Sequence, residues 1–297
     1  MVDVIVNPAP PAPMAAPAAS ERSQARRETL RLLVKRPAFI IGNIVIIGWI
    51  ICAVLGQRIT PYDPFNSFSV GHLPPSLEHW MGTDRLGRDV LSRVMVGSRD
   101  VLIVAPLAAL LGVTAGTFLG LVMGYYRGPV DDILSRLVEA FLALPVILVG
   151  LLTLVVLGTS PLVVIFVVGI LFTPIVARTV RSAVLSEREL DYVTAAKLRG
   201  ESGLFILSRE IFPNVLGPTV VEMTVRFGYA IFTVATLSFL GVGLQPPSPD
   251  WGLSVSQEYT NMISGIWWPT LFPALAIAST VIAVNLIADS LQSVLND

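Results

Sequence analysis

DYVTAAKLRGESGLFILSREIFPNVLGP, residues Asp191 to Pro218, lies between two long apolar stretches and decides how the rest of the chain is read. It is too short for a domain and too patterned for a slack linker. Just upstream, Ser186 with Glu189 three places on has the spacing of a capping box and predicts a helix start. Apolar residues then recur near helical spacing at Leu190, Val193, Ala196 and Leu198, until Gly200 offers a C′ stop. A second run, Leu204 to Phe212, sets Leu204, Leu207 and Ile211 on one face and is expected to close at Pro213. The pattern predicts two short amphipathic helices joined at a glycine on a membrane surface. Their apolar face needs a cover: a partner groove or, alternatively, the lipid headgroups.

The flanks make the membrane explicit. With 54% hydrophobic and 14% charged residues and a mean hydropathy of +0.73, the 297-residue chain is too apolar for an ordinary soluble domain. A formal charge of -1 argues against nucleic acid as a partner. Cys52, the single cysteine, excludes an intramolecular disulfide and a cysteine-cluster metal site. His72 and His79 share one loop without metal-ligand spacing and read as ordinary loop residues.

Six apolar stretches are each near the length a helix needs to cross a bilayer: 38–56, 101–126, 134–157, 160–180, 215–240 and 269–289. Residues 1–21 are Pro/Ala-rich and read as a disordered tail; 22–56 is a basic segment leading into the first span. Residues 57–99 form an outer loop, and 100–297 a core of five spans with the loop at 186–213. With both termini inside, the tail and the loops at 127–136 and 178–209 hold fourteen of the twenty Lys and Arg, the outer loops five. That asymmetry sets both ends in the cytoplasm.

Within the spans, Gly112, Gly116, Gly120 and Gly124 fall every fourth residue, a small-residue ridge that lets a neighbouring backbone approach. Glu222 and Arg226, acid first and four apart, should pair on one helix face, as a structural ion pair or as a substrate contact. In the outer loop, Asp89 onward reads as an amphipathic helix. Asp84 and Asp89 can there neutralise Arg88 and Arg93, either as a solvated charged face or as a cover over the core.

Three motifs carry a resemblance. Ala195-Ala196, then Gly200, then Pro213 looks like the EAA loop of ABC importer permeases, with Thr194 where that family often has Glu. Thr83-Asp84-Arg85-Leu86-Gly87-Arg88-Asp89 resembles the GTD-x-LGRD stretch of the peptide and nickel permeases. Leu237 to Gly252, LSFLGVGLQPPSPDWG, strongly resembles the signature of the dipeptide and oligopeptide members and is the most specific of the three. The resemblance spans roughly residues 37 to 292. It implies an all-α membrane protein with six transmembrane helices and a cytoplasmic coupling helix, the type I importer permease fold. It further implies a bacterial inner-membrane subunit that is not itself an enzyme, working with a second related permease, two ABC ATPases and an external substrate-binding protein to import di- or oligopeptides. Thr194, Ala195, Ala196, Gly200 and Pro213 would contact the ATPase, which would hold ATP and magnesium; this chain would bind no cofactor. Neither Lys35 nor Lys197, the only lysines, follows a glycine, so no P-loop is present. An ion-coupled secondary transporter using Glu222 and Arg226 is the alternative; it would normally carry internal repeats, which the sequence does not display.

Overall fold

A computed structural model describes residues 33–67 and 70–296, and the expectations for residues 1–32 lie outside them. Among the described residues the regular elements are all helices, with one isolated bridge between Thr83 and Asp89. The main helices are α1 (Pro37–Ile59), α2 (Val90–Tyr126), α3 (Pro129–Leu142), α4 (Val146–Leu157), α5 (Pro161–Arg188), α6 (Asp191–Leu198), α7 (Gly203–Phe239), α8 (Trp251–Glu258) and α9 (Trp268–Asn296). Helices α1, α2, α5, α7 and α9 are each long and apolar enough to cross a bilayer. The third predicted span, 134–157, is not one helix. It is α3 and α4, bent by 88° across Ala143 to Pro145. Apolarity there outweighed Pro145, which has no N–H to continue the helix and clashes with the preceding turn.

Three other boundaries move, each for a local reason. The amphipathic outer helix is no separate element: Asp89 caps Val90–Tyr126, a 37-residue helix whose first ten residues fall in the stretch expected to be loop, 57–99. At ~1.5 Å per residue it is about 55 Å long against a hydrocarbon core of about 30 Å. Ser186 starts nothing, because α5 runs through it to Arg188 and its hydroxyl bonds back to Ser182 O at 3.3 Å. Pro213 stops nothing either. Residues Ile206–Ile211 form a π-helical turn, in which Phe212 N–H reaches back to Leu207 O, and the helix then continues through Pro213 and Pro218 to Phe239. The wider turn absorbs the missing donor of Pro213.

The core is built on α2 against α5. A Cβ on Gly112 would lie 2.7 Å from Gly169 O, on Gly116 2.6 Å from Val176 Cβ, on Gly120 2.7 Å from Ala177 O and on Gly124 2.7 Å from Val184 Cβ. All four glycines face α5, and Gly169 returns the contact against Leu111. Val164, Val168, Leu171 and Val176 on α5 are buried in the resulting seam. Because lipid tails are as apolar as these side chains, close packing is what holds such helices together. Helix α1 lies outside this core. It packs Gly42 on α9 and Gly56 on Val96 of α2, and leaves Ile41, Ile44, Ile47 and Val54 exposed along its remaining face.

Helix α7 ends at Gly241 (φ +82°), where Val242 N–H bonds Leu237 O and Gly241 N–H bonds Ser238 O, a Schellman stop. The chain then folds back and drops Trp251 into the core. Its ring is fully buried, donates to Val94 O at 2.9 Å and packs 4.8 Å from Trp49.

Candidate functional site

The loop at 186–213 is organised by α6. Leu190 caps it without a side-chain bond, and it ends in another Schellman motif: Gly200 (φ +76°) donates to Lys197 O and Glu201 N–H to Ala196 O. Only one stripe of α6 is built into the protein. Val193 and Ala196 are fully buried against Val180 and Val184 of α5 and Ile206, Ile211 and Val215 of α7. Tyr192 adds a bond to Glu187 Oε1 at 2.6 Å and receives one from Asn214 at 3.0 Å; burial first, then the Glu187 carboxylate, pushes its phenol up to about 12. Leu190 and Leu198 do not share the face of Val193 and Ala196. They are exposed, Leu198 by 85%, together with Thr194 and Ala195. Likewise Leu207 and Ile211 are buried while Leu204 is exposed, so the π turn presents two faces as well. Gly200 has open space around it, and Pro213 sits inside the start of α7's regular portion, away from a helix end.

Behind α6 the inner end is braced by charges the sequence reading did not single out. Arg181 of α5 grips Asp131 of α3 with two parallel bonds, Nε to Oδ1 at 2.6 Å and Nη2 to Oδ2 at 2.7 Å, and Ser135 adds a third. Arg188 donates to Tyr125 O at the C-terminus of α2, and Arg127 pairs with Glu189 at 3.1 Å. Fifty residues separate Arg181 from Asp131, and only the α3–α5 packing brings them together. Glu222 and Arg226 do meet, Nε to Oε2 at 2.8 Å, with Tyr229's ring 5.2 Å from the guanidinium. The pair is closed on itself and mostly buried.

The loop at 57–99 is a buried charged cap and not a solvated face. Asp84 receives Arg88 Nε at 2.6 Å and the N–H groups of Leu86 and Arg88, and lies 3.7 Å from Arg93. The expected Asp84–Arg88 pair thus forms at its i, i+4 spacing, but in a turn and not on a helix. Asp89 does not pair with Arg93. Its carboxylate is occupied as the cap of α2, taking Ser92 N–H at 2.8 Å and His79 Nδ1 at 2.9 Å. Neither histidine is an idle loop residue, since His72 bonds Glu258 at 3.0 Å and so ties the cap to α8. Trp268 is buried and donates to Thr83 O at 3.1 Å, while its neighbour Trp267 is exposed.

Asp250 is the most confined carboxyl in this outer region. It is wholly buried, and Oδ1 accepts Leu253 N–H at 2.8 Å. Desolvation pushes it up to about 6, with a smaller push from Asp100, against the lowering effect of the Leu253 N–H and Ser238 hydroxyl bonds. Between about pH 4 and 6 the folded protein therefore holds a proton that the unfolded chain has released, and stability falls as pH rises through that window. Asp250→Asn keeps a capping oxygen and removes the charge. Thermal unfolding in detergent at pH 4.5 and pH 7.5 should show the variant gaining stability at the higher pH only; a pH dependence unchanged from wild type would exclude an ionising Asp250.

Comparison with known proteins places this architecture. Residues 116–297 match the family described as binding-protein-dependent transport system inner membrane component. A putative peptide transport system permease protein of Brucella suis is 39% identical over 269 residues, 90% of each chain. The dipeptide transport system permease protein DppC of Bacillus subtilis is 35% identical, over 91% of this chain and 85% of its own. The glutathione transport system permease protein GsiD of Pectobacterium atrosepticum is 36% identical, over 91% and 90%.

Proposed function

Because this chain belongs to the family of binding-protein-dependent transport system inner membrane components, we propose that it is one of two permease subunits of an ATP-driven importer of di- or oligopeptides. The observation that carries the mechanism is the division of α6 into a face fused to the ends of α5 and α7 and a face of small and apolar residues left open. Leu190, Thr194, Ala195 and Leu198 offer that open face to an ATPase subunit. Val193 and Ala196 pass its movement directly into two spanning helices, and the Schellman turn at Gly200 fixes the angle between α6 and α7. ATP and magnesium are held by the ATPase partners, and an external binding protein delivers the peptide. The termini and α6 lie on the cytoplasmic side, supported by fourteen of the twenty basic residues falling there. Substrate selectivity resides mainly in the binding protein, since these spans offer few polar groups to satisfy a dehydrated peptide.

The test is ATP-dependent uptake of a radiolabelled dipeptide by proteoliposomes holding both permeases and both ATPases, with the binding protein added outside. Gly200→Val forces a β-branched residue into the left-handed region, at about 1–2 kcal/mol, without any clash. It should leave membrane level unchanged and reduce uptake and stimulated ATP hydrolysis together by tenfold or more. Absence of uptake in the wild-type system would refute the peptide assignment; full uptake by the variant would refute the coupling role of α6.

A further inference from the structure

The outer cap carries a turn that is firmly built and yet covers nothing. Between residues 74 and 80 only His79 is buried, bonded to Asp89 and packed 4.8 Å from the Tyr62 ring. Ser76 N–H bonds His79 O at 2.8 Å, His79 N–H bonds Ser76 Oγ at 3.1 Å, and Trp80 Nε1 bonds Leu77 O at 3.2 Å. This frame holds Leu77 97% exposed and Trp80 69% exposed. Large apolar side chains displayed by a fixed turn mark a contact surface.

The height of the turn identifies the contact. Gly56, the last residue of α1's apolar run before Gln57 and Arg58, packs on Val96 of α2. Six residues further, Tyr62 N–H bonds Ser92 Oγ and Tyr62 Oη bonds Glu78 O at 3.1 Å; His79 then reaches Asp89. From Val96 to Asp89 a helix rises about 10 Å. The turn therefore stands roughly 10 Å above the end of α1's apolar run, within side-chain reach of a headgroup layer about 5–8 Å deep. It also continues a surface that already meets lipid, because Val54, Leu55 and Ile59 are exposed up the last turns of α1. We infer that residues 76–80 anchor the cap in the adjacent membrane leaflet, with Leu77 and Trp80 both entering the headgroup layer. An indole, apolar in body and polar at its N–H, suits that level. The anchor needs no particular cargo and stands apart from the transport reading.

The experiment uses the full-length chain with Cys52→Ala in phosphatidylcholine/phosphatidylglycerol nanodiscs. Leu77→Cys is labelled with an environment-sensitive nitrobenzoxadiazole dye, and Arg85→Cys, exposed on the same cap, serves as the control. Nitroxide attached near the lipid headgroup should quench the dye at position 77 at least twofold more than at position 85, with blue-shifted emission at 77 only. Equal quenching at the two positions overturns the anchor. So does a dye at position 77 that is unquenched by lipid and shifts only when an external binding protein is added, which would assign the turn to protein docking.

Discussion

Gly116→Leu should abolish the folded chain. A Cβ there would lie 2.6 Å from Val176 Cβ and 2.7 Å from Thr173 O, and neither a backbone carbonyl nor a Cβ can swing aside. Relief requires α2 and α5 to part along their whole seam, which also loosens Gly112, Gly120 and Gly124 from α5. Adding even small groups to a tight core costs about 1–3 kcal/mol, and Leu adds four carbons against an unyielding wall. Since ~1.4 kcal/mol is tenfold, fluorescence-detected size exclusion of a tagged chain should show monodisperse protein falling tenfold or more. Gly116→Ala should fall between this and wild type. Phe118→Leu, two residues along but 71% exposed, should leave the peak unchanged. A normal peak for Gly116→Leu would mean that α2 does not pack on α5 through this ridge.

That ridge was legible in the sequence because its signal is local: four glycines at a spacing of four mark one helix face whatever lies opposite. The apolar spans and the glycine that ends α6 were legible for the same reason. What escaped was decided by competition between signals or by distance. Pro145 was outvoted by its apolar neighbours, and the span it breaks was read as straight. Pro213 was read as a stop because a π turn, which makes room for it, leaves no compositional mark. Leu190 and Leu198 were read on one face with Val193 and Ala196 because an eight-residue helix gives too few positions to separate a buried face from a docking face. Spacing alone found the Asp84–Arg88 pair but also joined Asp89 to Arg93, whereas the Asp89 carboxylate is committed to capping α2. Asp131 and Arg181 could not be matched at all, since nothing local links residues on α3 to those on α5.

Breaking that last pair should also have a large effect, and an unequal one. Asp131 is buried in the first turn of α3 and takes both arms of Arg181, whereas the Arg181 side chain is 32% exposed. Arg181→Met strands a carboxylate with Ser135 as its remaining side-chain partner, and removing one member of a buried pair costs about 3–5 kcal/mol. Water reaching the guanidinium places the expected loss near the lower end. Asp131→Asn strands the arginine instead, which can turn toward solvent, so it should cost less. The double variant leaves no unpaired charge and should be milder than the sum of the two. Arg181→Lys should not rescue fully, because an ammonium cannot reproduce the planar fork. Thermal unfolding of the four detergent-solubilised proteins measures the cycle. Equal single losses that simply add would show the two residues acting independently. The predicted order, Arg181→Met worst and the double variant partly restored, requires a pair that braces α3 against α5 just beneath the helix proposed to receive the ATPase stroke.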